Sequence, residues 1–147
     1  MAKTNWPKWF KTSIAKHFQD SLSSVELYIE GTKRPTTQSL DRFELAIDGP
    51  SFDQAAKDVF YIDITIGMLI MNKIDYNDPI KHETKVGIAL DTFKPSICIN
   101  KWGDGDGVFG SLHLDNVNVT RFELLDGSIE EISMINSKYS MTKLGET

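Results

Sequence analysis

The chain has 147 residues, 40% hydrophobic and 25% charged, which is the make-up of one globular domain. Fifteen aromatics (8 Phe, 4 Tyr, 3 Trp) supply enough bulk for a core and argue against whole-chain disorder. The longest nearly uncharged apolar run, Ile64 to Met71, falls well short of the roughly 20 residues a spanning helix needs. No membrane segment and no secretory signal are expected, and the single cysteine, Cys98, excludes an internal disulfide and a cysteine-rich zinc site.

Formal net charge is −5, from 16 basic and 21 acidic residues. That balance argues against bulk nucleic-acid binding, which normally needs a basic face. Residues 1–19 hold Lys3, Lys8, Lys11 and Lys16 and no acid, so the remainder carries 12 bases against 21 acids, a net −9. A basic end and an acidic body could attract copies of the chain head to tail. A solvated helix face is the plainer account.

The first predicted element is a helix from about Pro7 to Leu22. Phe10, Ile14, Phe18 and Leu22 recur every four residues, with Trp6 one step earlier, and Pro7 suits a first helical turn. A strand follows, in which Val25, Leu27 and Ile29 alternate with polar neighbours. Thr32 to Ser39 reads as a long loop or hairpin tip. Phe43, Leu45 and Ile47 mark a second strand ended by Asp48-Gly49-Pro50, with one helical turn expected over Phe52 to Lys57. A third strand runs from about Val59 to Met71. Its Phe60, Ile62, Ile64 and Ile66 share a face, and beyond Gly67 it is apolar on both, which calls for a second covering layer or another subunit.

Asp78-Pro79 predicts a helix start, with Ile80, Val86, Ala89, Leu90 and Phe93 as its apolar face and Pro95 as its stop. Ile97 and Ile99 flank Cys98 on a short strand, where the thiol is expected to be a buried or half-buried small hydrophobe. The Gly103-Asp104-Gly105-Asp106-Gly107 loop comes next. Val108 to Leu114 and Val117 to Leu125 read as two strands, Asp126-Gly127 as a turn, and Ile129 to Met141 as a last strand. The order predicts an α+β fold: a mixed, mainly antiparallel sheet with two helices packed on one face. Residues 1–147 form one domain, with 1–5 and 142–147 expected to be flexible.

No constellation carries a clear chemistry. As a calcium loop, GDGDG places Asp106 third after Asp104, but Val108 and Phe109 fail the next positions, so a flexible turn is the better account. A divalent-metal nuclease could use Asp63, Glu83 and Lys85, the last two as Glu-x-Lys. Glu83, however, sits early in a helix, where an acid simply suits the dipole. His17, His82 and His113 show no metal-ligand spacing, and Ser13 and Ser111 lack a nucleophile-elbow context. No cofactor is expected. Trp6 and Trp9 lie beside lysines, and Trp9, one position off the helical stripe, is a candidate exposed contact.

The succession WPKWFKTSIAKHF, VELYIEG, DRFELAIDGPSF, VFYIDITIGMLI, a helix, ICINKWGDGDGVFGSLHL and a closing SKYSM strand, over about residues 6–141, resembles small structural proteins of tailed bacteriophages. The group it resembles is the tail-terminator or tail-completion class at the neck. The resemblance implies a non-enzymatic virion protein, made in the host cytoplasm, that forms a ring, commonly of six subunits. Such a ring terminates the tail, joins it to the head and lets DNA pass without specific binding. A minor tail or tail-tube-associated protein is the alternative. The partners implied are further copies of the chain and neighbouring neck and tail proteins. Because a ring needs two complementary surfaces, Trp6, Lys8, Trp9 and Arg34 are expected on one and Asp104 and Asp106 on another. Asp104 and Asp106, or Glu130 and Glu131, are candidates for an acidic lumen.

Overall fold

The computed structural model describes residues 3–22, 27–29, 41–105, 107–124 and 127–144. A 3-10 turn over Lys3–Asn5 leads into helix α1 (Trp6–Ser21), then strands β1 (Leu27–Ile29), β2 (Arg42–Ala56) and β3 (Val59–Lys73). Helix α2 (Lys81–Asp91) precedes β4 (Ser96–Asn100), β5 (Val108–Arg121) and β6 (Glu130–Leu144). The predicted 32–39 loop lies outside the described residues.

The six strands form one sheet in the order β1-β2-β3-β6-β5-β4. Only β1 and β2 are parallel; every other pair is antiparallel. The fold is therefore α+β with a mixed, mainly antiparallel sheet. β6 inserts between β3 and β5, and its pairing with β3 runs unbroken from Lys73↔Glu130 to Val59↔Leu144. The ladder extends to Leu144, and a 3-10 turn spans Lys3–Asn5.

The core is built on parity. Phe60, Ile62, Ile64, Ile66, Met68 and Ile70 alternate along β3 and are buried. Trp6 brings α1 onto them, with its ring 5.6 Å from both Phe52 and Phe60 and 4.9 Å from Phe109. Phe18 meets Phe93 at 5.1 Å, and the His17 Nε2–H donates to the Thr92 carbonyl at 2.9 Å, which ties α1 to the end of α2. Beneath α2, the Tyr139 hydroxyl donates to the Lys94 carbonyl at 2.8 Å, and burial pushes its phenol up to about 12. On the other face of β3, Met71 is buried and Leu69 half-buried within the single chain. Arg42 and Glu44 stand opposite them on β2, joined at 3.3 Å.

Six local expectations need correction. Asp48-Gly49-Pro50 does not end β2, and no helical turn follows. Gly49 takes φ +107°, the Gly49–Pro50 bond is cis, and the register steps from Asp48↔Thr65 to Ser51↔Asp63, so a bulge absorbs the extra residue and the strand continues. Likewise Val108 to Arg121 is one strand, bulged between Leu114 and Asn116. α2 begins at Lys81 because Asp75 to Lys81 forms turns, with Asp78 N–H donating to Asp75 O and Lys81 N–H to Asp78 O. Its inward stripe is His82, Val86, Ala89 and Phe93, which leaves Ile80 66% and Leu90 37% exposed. Cys98 is exposed, since Ile97 and Ile99 take the buried side of β4.

Candidate functional site

Three arrangements of polar side chains stand out, and two of them are built on the helices. The first joins α1 to the glycine-rich loop. Gly103 and Gly105 adopt φ +80° and +89°, which turns the loop back toward the helix. The Trp9 indole N–H then donates to Asp104 Oδ2 at 2.7 Å, and Lys8 Nζ lies 3.9 Å from the same oxygen. One turn along α1, Ser13 Oγ accepts from the Trp102 indole at 2.8 Å and from the Asn100 backbone N–H at 2.9 Å. The strap joins Lys8 and Trp9, expected on one ring surface, to Asp104, expected on another. Trp6 and Trp9 are 1% and 4% exposed because the aromatic core takes both rings. Lys8 and Asp104 lie side by side within one chain. Arg34 and Asp106 lie outside the described residues. Ser13→Ala would leave two donors without an acceptor, and is expected to lower stability by about 1–3 kcal/mol, read as an earlier urea midpoint with an unchanged slope.

The second arrangement was not found in the sequence. His82, fully buried, sits between Asn72 Oδ1, 2.5 Å from its Nδ1, and Ser133 Oγ, 2.7 Å from its Nε2. Asn72 Nδ2 donates to the Lys73 carbonyl and to Glu131 Oε2, which fixes its Oδ1 toward the imidazole. His82 is therefore protonated on Nδ1 and accepts from the Ser133 hydroxyl on Nε2. Burial, then Arg121, lowers its pKa, Glu131 opposes this and Lys85 adds to it, so the ring stays neutral.

Ser133, His82 and Asn72 follow one another as a nucleophile, a base and an orienting group would. Yet Ser133 is 1% exposed, and it lines none of the described clefts. The row fastens α2 to β3 and β6. Its neighbours on the helix complete the clamp. Glu83 pairs with Arg121, which also holds Glu131 at 3.1 Å. Lys81 and Lys85 reach Asp41 at 3.1 and 4.0 Å. Burial alone would raise the Asp41 pKa, but the Lys73 N–H and these two lysines outweigh it, and the carboxyl ends lowered. The sequence signal for His82 was its spacing from Val86, Ala89 and Phe93 on one helical stripe.

The third arrangement is a shallow cleft of about 420 Å³ on the sheet, lined by Tyr61, Asp63, His113, Asp115, Lys138 and Ser140 among others. Asp63, Ser140 and His113 stand side by side on three adjacent strands. Asp63 is thus placed with His113, while Glu83 and Lys85 are engaged by Arg121 and Asp41, so the three nuclease candidates do not converge. Among the described residues no three metal-ligating side chains cluster. Of the candidate lumen acids, Glu131 is held by Asn72 and Arg121, and Asp104 by the α1 strap.

A different kind of surface lies where β5 turns back to β6. Phe122, Leu124 and Ile129 are 45%, 44% and 61% exposed around a groove of about 380 Å³.

No known protein family matches this chain, and no curated protein matches it. The fold is shared: 25 solved chains match it. One of them aligns over 100% of this chain and 99% of its own length, with a TM-score of 0.59 at 10% identity. Likeness at that identity concerns the fold alone.

Proposed function

We propose that this chain is a non-enzymatic structural subunit of a tailed-phage neck or tail, assembling with copies of itself into a ring that terminates the tail and joins it to the head. The observation that carries the reading is the apolar hairpin end: Phe122, Leu124 and Ile129 stand exposed together, and grouped exposed apolar side chains mark protein contacts. The order of elements in the phage resemblance supports it as well. In the same reading both helices cover one face of the sheet. Trp6 meets Phe60 and His82 meets Asn72, two even-numbered β3 residues of the same parity, which supports this layering. A minor tail or tail-tube role would use the same contacts at another station of the virion.

The contact is apolar at its centre, because the Lys8 and Asp104 charges already meet within the chain. Assembly is therefore expected to resist salt. Light scattering across concentration should give a mass several times the 16.6 kDa of the chain, and negative-stain images should show rings. Substituting Phe122→Asp together with Ile129→Asp is expected to abolish the ring without unfolding the chain. A chain that stays monomeric at high concentration and beside assembled tails would overturn the reading.

A further inference from the structure

The edges of the sheet differ in how they are guarded. β1 is described over Leu27–Ile29, and both its flanks lie outside the described residues. β2 beyond it carries Pro50, two register shifts and the acids Asp48 and Asp53, all of which discourage pairing. β4 is held against α1 by the Ser13 hydroxyl on the Asn100 N–H. β4 covers β5 only from Val108 to His113, with one further bond from Leu114 N–H to the Pro95 carbonyl. From Asp115 to Arg121 the outer side of β5 has no strand partner among the described residues. This stretch, DNVNVTR, holds no proline and no lysine.

Its hydrogen-bonding phase follows from one bond. Phe122 N–H donates to Ile132 O on β6. Alternation then points the N–H and C=O groups of Thr120 and Asn118 toward β6, and those of Val117, Val119 and Arg121 outward. Val119 is 45% exposed. Two turns along α2 from Glu83, which reaches Arg121, Leu90 is part-exposed on the same flank.

We propose that a second copy of this chain pairs antiparallel along this edge, with Asn118 opposite Asn118 of the partner copy. That register is self-complementary. Val117 of each copy faces Val119 of the other, and both are outward-bonding residues, so the backbone groups meet in phase. The same register sets Asp115, at the bulge, opposite an Arg121 that already holds Glu83 and Glu131, so the pairing rests on the backbone ladder and the Val117–Val119 contacts and not on charge. The contact is isologous and joins two six-stranded sheets into one. It covers a small area, so it is weak and depends on concentration. It rests on the edge alone and stands apart from the phage reading.

The test is the wild-type chain beside Val119→Pro, followed by sedimentation or light scattering, with far-UV dichroism as the check on folding. Proline keeps an apolar side chain and removes one outward N–H, which an edge strand tolerates. At high concentration the wild type is expected to show twice the mass of V119P, whether the unit that pairs is the single 16.6 kDa chain or a ring of it. Hydrogen exchange on the wild type gives a readout free of any variant. Protection of the Val117, Val119 and Arg121 amides should grow with concentration, while that of Asn118 and Thr120 stays constant. A wild type that is monomeric throughout, or a folded V119P with the wild-type mass, overturns the pairing. A ring in V119P with the full wild-type mass overturns the pairing and leaves the ring reading standing.

Discussion

Replacing Trp6 by alanine is expected to destabilise the protein by about 3–5 kcal/mol, a large part of the roughly 5–15 kcal/mol that holds a domain folded. Trp6 is the hub where three elements meet: its ring touches Phe52 of β2, Phe60 of β3 and Phe109 of β5. Those side chains belong to a continuous sheet and cannot collapse far into the space, so most of the cavity persists. Trp6→Phe separates packing from polarity. The indole Nε1 is buried without a hydrogen-bond partner, so phenylalanine loses volume but also relieves a buried donor. The expected cost is less than half that of alanine, measured by urea unfolding with both variants at the wild-type slope. Equal losses for the two would show that the ring edge beyond a phenyl carries the site.

The His82 row gives the second large effect, and it depends on pH. His82→Ala opens a cavity and leaves Asn72 Oδ1 and the Ser133 hydroxyl unpartnered, which is expected to cost about 3 kcal/mol near neutral pH. The wild-type imidazole has a lowered pKa, by burial first and then by Arg121, against an unfolded value of 6.5. Below that value the unfolded chain takes up a proton that the folded one refuses, so stability falls with falling pH. Above it both states are neutral and the term vanishes. Stability should therefore be flat above about 6.5 and decline below it, and His82→Gln should remove that decline. Asp41 acts lower. Its carboxyl is lowered relative to 3.8, so the stability it contributes is present above that value and lost as pH falls through its folded pKa. A decline that begins only near the Asp41 range, with no change in H82Q, would sink the histidine account.

The same two sites show where reading the chain stopped. Phe10, Ile14 and Phe18 announce α1 because a helix repeats every 3.6 residues and burial selects apolar side chains at that spacing. Trp9 departs from that stripe by one position, and nothing local says that Phe109 would wait beneath it or that Asp104 would accept its N–H, 95 residues away. His82 shows no metal-ligand spacing with His17 or His113, so no local motif singles it out. Its burial depends on Asn72 and Ser133, which arrive from two other strands. Glu83 and Lys85, the Glu-x-Lys pair weighed for metal chemistry, belong to a clamp in which Lys81 and Lys85 reach Asp41 before β2, His82 reaches β3 and β6, and Glu83 reaches β5.

Sequence by itself determined the class of the fold, the α1 stripe, the alternation of β3 and the stop after Phe93, because each depends on a few neighbouring residues and a fixed backbone period. Tertiary structure alone decided that β2 continues past Pro50 and that β5 is one strand. In each case a bulge is affordable only where a partner strand supplies the ladder on either side. It also decided the order β1-β2-β3-β6-β5-β4, which leaves one half of β5 without a strand partner among the described residues. Strand order is set by hydrogen bonds between residues far apart in the chain, and no local pattern encodes which edge will be left open.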